Sequence, residues 1–298
     1  MKKKILFSVV VPIYNEEGSI KQLIFKIFQV FNEMNQKVEI IVVDDGSTDN
    51  SRNILNSNKH IKTIFLKKNY GQSLAIDAGL RYASGDFLVT IDGDGQNDPF
   101  DIPKMFNFLK ENNFDMVCGW RKHRKDKKTK KIGAFLGYFL RKKILDDGLH
   151  DSGCTLKIFK KKAYKKLFLF NGMHRFIPAL LQIKNMKISE IEVNHLPRRT
   201  GKTKYNGWRF LKAAADFLCI YIIKKTKENK FKSFLLFILL FILFVLLVFL
   251  FFKFNLMFFI INSLTVIFYF FVFLSLVNYY FLKPRYKIEK NINNYSVS

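Results

Sequence analysis

Cysteine is scarce and scattered. Cys118, Cys154 and Cys219 are odd in number and form no C-x-x-C pair, which excludes a disulfide scaffold and reads as reduced, buried thiols in a cytosolic domain. Acidic residues are few as well: 24 Asp and Glu against 50 Lys and Arg leave a formal charge of +26 over 298 residues. A hydrophobic fraction of 49%, with 16% aromatics, still excludes a disordered polycation. The basic excess comes without a recognition helix or a stacking motif, so no nucleic-acid partner is expected. A Walker loop and a G-x-G-x-x-G fingerprint are both missing, because Gly93 and Gly95 follow a carboxylate and lead into Gln96-Asn97-Asp98-Pro99; a dehydrogenase is excluded with them. The basic start, Met1 to Val11, lacks a small-residue cleavage site and runs directly into Pro12, so it reads as a first buried strand rather than a signal peptide.

Charge itself is missing from one long stretch. Between Ser233 and Leu282 the single charged residue is Lys253. Ser233 to Phe252 and Phe254 to Leu282 each supply the ~20 apolar residues a helix needs to cross a hydrocarbon core of ~30 Å. Lys224, Lys225, Lys227, Lys230 and Lys232 precede the pair, and Lys283, Arg285, Lys287 and Lys290 follow it. The positive-inside bias therefore places both ends in the cytoplasm, in a multi-pass protein of the inner (plasma) membrane. Ile132 to Leu145 and Trp208 to Ile223 carry apolar stripes bordered by Arg and Lys, as helices lying in an interface do.

What remains alternates short β-branched runs with helical patterns. Phe7 to Val11, Val38 to Val43, Thr63 to Leu66, Phe87 to Ile91 and Met116 to Cys118 are continuously apolar, as strands covered on both faces must be. Gly18 to Asn32 sets Ile20, Leu23, Ile24, Ile27, Phe28 and Phe31 at helical spacing, and Asp49 to Asn56 and Gln72 to Ala83 are further helices. The alternation predicts an open, mostly parallel α/β sheet with its ligand beyond the carboxyl ends of the strands. Asn291 to Ser298 reads as a disordered end.

The acidic residues fall at that edge. The first strand runs out at Pro12-Ile13-Tyr14-Asn15-Glu16-Glu17 and the second at Asp44-Asp45-Gly46-Ser47-Thr48-Asp49, where Ser47 or Thr48 is placed to cap the next helix. The fourth ends in Asp92-Gly93-Asp94-Gly95-Gln96-Asn97-Asp98-Pro99. Two carboxylates two residues apart at a strand end point the same way. Hard oxygen ligands of this kind suit Mg²⁺ or Mn²⁺ bridging a diphosphate. An EF-hand calcium loop is excluded, since its sixth position is Asn97 rather than Gly and its twelfth Pro103 rather than Glu.

These stretches, together with Asn69-Tyr-Gly-Gln, Ala78-Gly79 and Gly85-Asp86, resemble in order and spacing the family 2 glycosyltransferases of the GT-A fold. Gly119-Trp-Arg-Lys-His-Arg-Lys-Asp, Asp151-Ser-Gly-Cys-Thr-Leu-Lys, Gly172-Met-His-Arg-Phe-Ile-Pro and His195-Leu-Pro-Arg-Arg-Thr-Gly-Lys-Thr-Lys-Tyr are similar to the polyprenyl-phosphate branch of that family, which includes the dolichol-phosphate mannosyltransferases. The similarity spans about residues 5 to 210, with Gly95 where Leu is frequent and Thr203 where Ser precedes Lys-Tyr. The organisation it implies is a GT-A catalytic domain over 1–205, an amphipathic juxtamembrane segment over 206–232, two transmembrane helices over 233–283 and a cytoplasmic tail over 284–298.

The resemblance also implies roles. A nucleoside-diphosphate sugar would meet Pro12, Tyr14 and Glu16 near base and ribose, Asp44 or Asp45 at the base edge, and Gly71. Asp92, Asp94 and Gln96 would hold the metal, with Asp92, Asp94 and Arg198 as the catalytic set. A polyprenyl phosphate acceptor is already anionic near neutral pH and needs cations rather than a base; Arg121, Arg124, Arg198 and Lys204 are the candidates. The implied reaction is metal-dependent transfer with inversion, serving cell-envelope glycan synthesis. The same fold could instead extend a saccharide or glycolipid hydroxyl, which would want a base. Intact Asp92, Asp94, Gln96 and Arg198 argue against a non-enzymatic scaffold. The Phe-rich spans offer a surface for a homo-oligomer.

Overall fold

The structure is a computed structural model that describes residues 6–122, 148–165 and 172–197 in continuous runs, with 215–221, 288–292 and isolated positions elsewhere. The chain divides into two compact units, one comprising Met1–Lys202 with Pro284–Ser298 and the other Thr203–Lys283.

The first unit is built on the expected buried runs. Strand β1 (Phe7–Ile13, FSVVVPI) and strand β2 (Val38–Asp44, VEIIVVD) are buried at every position. They pair in parallel, Phe7 opposite Val38 through Ile13 opposite Asp44. β3 (Lys62–Leu66) extends the sheet beyond β2, and β4 (Phe87–Thr90) lies on the other side of β1, both parallel. Helix α1 (Ile20–Glu33) buries Ile20, Leu23, Ile24, Ile27, Val30 and Phe31, close to the predicted stripe. Apolar contact here is aromatic as well as aliphatic, with Phe7 edge-on to Phe106 at 4.7 Å between ring centroids. Helix α3 (Gln72–Tyr82) lies so close to the sheet that a Cβ on Gly79 would stand 2.4 Å from Val10 Cγ1, so only glycine fits there.

The flanks of the sheet depart from the sequence reading. β5 (Met116–Trp120) does not pair with β4; β6 (Lys157–Lys160) inserts between them, antiparallel to both. β7 (Ile188–Glu192) runs parallel to β5, and β8 (Ile288–Ile292) lies antiparallel to β3. The order is β7-β5-β6-β4-β1-β2-β3-β8: a parallel centre in a mixed sheet. Asn291 and Ile292 therefore belong to a strand, against the expectation of a disordered end, because β3 has a free edge to pair with.

Among the described residues no helix is long and apolar enough to cross a membrane. The two predicted crossings lie outside the described residues except at 239, 242–243, 246, 267–269 and 272, as does the stripe from Ile132 to Leu145 apart from Lys142. Of Trp208 to Ile223, the described part is helical, with Ala215, Cys219, Ile220 and Ile223 buried on one face.

Candidate active site

Parallel pairing puts the ends of β1, β2 and β4 on one edge, and the loops that leave them are tied together by short polar side chains. Asn15 takes a positive φ of 56°, a conformation that asparagine tolerates better than most residues. Its amide donates to Ser47 Oγ at 2.8 Å and its Oδ1 accepts from the Thr48 amide at 2.7 Å. The Glu16 amide donates to Ser51 Oγ, and the Asn50 amide to Glu17 Oε2. Ser47 and Thr48 are thus used between loops and do not cap helix α2 (Ser51–Asn56), which begins after Asn50.

Asp44, the last residue of β2, and Asp45, which follows it, are buried and held differently. Asp44 Oδ2 accepts from Arg52 Nε at 2.7 Å and its Oδ1 from the Ser47 amide, which closes the turn. Asp45 reaches across to the loop before α3, accepting from the Tyr70 amide at 2.7 Å and the Gly71 amide at 2.8 Å. Gly71 has φ 95°, a left-handed value that favours glycine. The chain then enters α3 with Gln72, whose Nε2 donates to Asp92 Oδ1 at 2.5 Å. The other oxygen, Asp92 Oδ2, accepts from Thr155 Oγ1 at 2.7 Å.

β4 ends at Thr90, one residue short of the expected Ile91, and Asp92 and Asp94 lie in the loop that leaves it. Asp94 Oδ1 accepts from the Gln96 amide at 3.1 Å. Burial pushes Asp92 up to about 6, and the neighbouring Asp94 charge pushes in the same direction. Two carboxylates that resist carrying charge together offer hard oxygen donors to a divalent cation, which relieves both effects. Mg²⁺ in particular is commonly held by one or two carboxylates and completed by substrate phosphates. Among the described residues no group of three or more His, Cys, Asp or Glu is arranged to hold a metal.

Cations border the turn. Arg121, at the end of β5, donates from Nε to Asp151 Oδ2 at 2.7 Å and from Nη2 to Asp151 Oδ1 at 3.0 Å. Asp151 holds the guanidinium firmly in its charged form, with Asp92 adding to the effect. Lys157, 2% exposed, donates to the carbonyls of Ser152 and Cys154 and also favours the ionised form of Asp92. Cys154 is fully buried and its thiol is pushed up by burial, as expected of a packed residue rather than a nucleophile.

Asp101 accepts from the Asn194 amide at 2.7 Å, His195 bridges Asn97, and the Leu196 amide donates to Gln96 O at 2.8 Å. The run beginning His195-Leu-Pro is thereby fastened along the acidic turn. Arg198 and Lys204 beyond it, and Arg124, lie outside the described residues. His174 Nδ1 is bonded to Ser73 Oγ at 2.7 Å, which ties its segment to the start of α3.

The structure thus brings Asp45, Gly71, Asp92, Asp94, Gln96 and Arg121 to one edge. Pro12 sits within β1 opposite Val43, buried, while Tyr14 and Glu16 follow in the loop. Sequence reasoning assigned no role to Gln72, Thr155, Lys157, Asp101 or Asp151. Gln72, Thr155, Lys157 and Asp151 lie within stretches that carried the resemblance, which was the available signal.

One pH effect follows from this geometry. Asp45 is 3% exposed and burial raises it to about 6 despite its two amide donors. Its carboxyl keeps a proton in the folded chain that the unfolded chain has released, so folding stability falls as pH rises from about 4 to about 6. Melting curves across this range should show the parent losing stability relative to Asp45→Asn; parallel curves would remove Asp45 as the cause.

Comparison with known proteins places these features. Residues 8–168 match the glycosyl transferase family 2 description. Dodecaprenyl-phosphate galacturonate synthase of Rhizobium johnstonii is 36% identical over 232 residues, covering 74% of this chain and 68% of that protein. Undecaprenyl-phosphate 4-deoxy-4-formamido-L-arabinose transferase of Shewanella sediminis is 32% identical over 216 residues, 71% and 65% respectively. The chain thus spans about two thirds of the length of these relatives. Among solved structures, glucosyl-3-phosphoglycerate synthase from Mycobacterium tuberculosis, in complex with Mn²⁺, uridine diphosphate and glucosyl-3-phosphoglycerate, superposes with a TM-score of 0.57 at 18% identity, covering 74% of this chain and 79% of that one. The mannosyltransferase PcManGT from Pyrobaculum calidifontis, in complex with GDP-Man and Mn²⁺, gives 0.55 at 19% identity, covering 77% and 66%. At such identities the likeness establishes the shared GT-A α/β fold.

Proposed function

We propose that this chain, which belongs to glycosyl transferase family 2, moves one sugar from a nucleoside-diphosphate sugar to a polyprenyl phosphate at the cytoplasmic face of a membrane. The observation that carries the reading is the pairing of Asp92 with Asp94 at the carboxyl edge of the parallel strands, beside the fastened His195-Leu196 segment. The two relatives named above, both polyprenyl-phosphate enzymes by name, support the acceptor class. Solved complexes with uridine diphosphate or GDP-Man support the donor class, and their Mn²⁺ supports a divalent cofactor, Mg²⁺ or Mn²⁺.

Asp92 and Asp94, with Gln96 beside them, are the residues that would hold the cation. When bound, it would neutralise charge growing on the departing diphosphate. The acceptor's phosphate oxygen is already anionic and attacks the anomeric carbon as the bond to the nucleoside diphosphate breaks, so the configuration inverts. No general base is required. Arg121, oriented by Asp151, with Arg124, Arg198 and Lys204, are the residues assigned to the acceptor phosphate. The membrane placement rests on the two apolar runs and their basic flanks. It is supported by Leu239, Ile242, Leu243 and Leu246, which are helical and exposed on one face, Leu239 at 61%.

The discriminating experiment supplies detergent-solubilised protein with a panel of radiolabelled UDP- and GDP-sugars and either undecaprenyl phosphate or the dephosphorylated alcohol. Transfer to the phosphate and none to the alcohol is expected. Equal transfer to the alcohol, or to a glycolipid hydroxyl alone, would overturn the acceptor assignment.

A further inference from the structure

Asp92 lies beyond the last ladder bond of β4, so the strand does not fix the direction of its carboxylate. Two side chains from distant parts of the sequence do so instead. Gln72 Nε2 donates to one carboxylate oxygen at 2.5 Å and Thr155 Oγ1 to the other at 2.7 Å. One donor per oxygen leaves each oxygen a lone pair for a further partner.

Both donors are themselves held. Gln72 is the first residue of α3, and the turn before it is fastened by the Tyr70 and Gly71 amides on Asp45. The next residue, Ser73, is bonded to His174, so the first turn of α3 is pinned from two sides. Thr155 is 5% exposed; its carbonyl accepts from Thr90 Oγ1 at 2.7 Å, and the carbonyl of the following Leu156 accepts from the Gly119 amide at 2.9 Å. The fork is thus anchored to β4 and β5 on one side and to Asp45 on the other.

We propose that Gln72 and Thr155 are positioning residues that fix the Asp92 carboxylate for the divalent cation, so that two side chains that do not touch the ion set its affinity. This rests on the reading of Asp92 as a ligand. Partners that orient a ligating carboxylate are typically worth roughly 10- to 100-fold in metal affinity. A pair serving only to satisfy a buried carboxylate would lower melting temperature and leave ion affinity unchanged.

The test measures Mn²⁺ binding by electron paramagnetic resonance on the full-length, detergent-solubilised chain with UDP or GDP present, which needs no turnover. Thr155→Val and Gln72→Leu should each weaken Mn²⁺ binding by roughly 10- to 100-fold, while Thr155→Ser, which keeps the hydroxyl, should bind as the parent does. Parental Mn²⁺ affinity in both disruptive variants would overturn the inference and leave the metal reading intact, as would loss in Thr155→Ser equal to that in Thr155→Val. If the parent itself bound no Mn²⁺ with either nucleotide, the metal reading would fall first. Because the two disruptive variants sit on different elements, misfolding of one leaves the other to decide.

Discussion

Replacing Asp94 with Asn is expected to lower sugar transfer by roughly 10²- to 10³-fold, the size of effect seen when one preorganised stabiliser of developing charge is removed. The same change should not lower the melting temperature of the protein in chelator. Asp94 now contributes repulsion to a neighbour whose ionised carboxylate is already disfavoured by burial, and an amide removes that repulsion. The Asn oxygen can still accept from the Gln96 amide, so the turn keeps its local bond. Activity and stability should therefore move apart. Addition of Mn²⁺ and nucleotide should raise the parent's melting temperature and leave the variant's almost unmoved. A variant that transfers as well as the parent would show that the acidic turn does not hold the metal.

This separation bears on what the sequence could reveal. The parallel centre of the sheet was legible because strands covered on both faces must be apolar throughout, and Phe7–Ile13 and Val38–Asp44 are buried at every position. β6 was not legible. Its four residues, Lys-Ile-Phe-Lys, run into further lysines, and Lys157 is buried only because the carbonyls of Ser152 and Cys154 receive its ammonium. No pattern of hydropathy can anticipate that. β8 pairs with a strand far earlier in the chain, a long-range choice that local composition does not encode.

The site divides in the same way. Asp45, Asp92 and Asp94 could be picked out because acidic residues cluster after apolar strands, where open α/β sheets place their ligands. Their partners could not, since Gln72 and Thr155 become neighbours of Asp92, and Asp151 a neighbour of Arg121, only through the sheet order. Where motifs carried a resemblance, the structure supplies reasons for some letters: glycine at 71 for its backbone angle, and glutamine at 72 and threonine at 155 for the two oxygens of Asp92.

The ion pair between Arg121 and Asp151 carries the largest expected effect on stability. The two side chains are 11% and 17% exposed, joined by two bonds in fork geometry, and Asp151 is in turn fixed by its amide on Glu190. Asp151→Ala would leave a largely buried guanidinium without its carboxylate, and removing one partner of such a pair typically costs about 3 kcal/mol. For a domain of this size that corresponds to a fall of about 10 °C in melting temperature. Replacing both residues together, Arg121→Leu with Asp151→Leu, removes the two desolvation costs along with the attraction, and should recover most of the loss. Transfer should not recover, because an apolar pair supplies no cation beside the acidic turn. If the double replacement melts as low as Asp151→Ala, the pair contributes through local packing rather than charge. If it regains activity as well, Arg121 has no part in holding the acceptor phosphate.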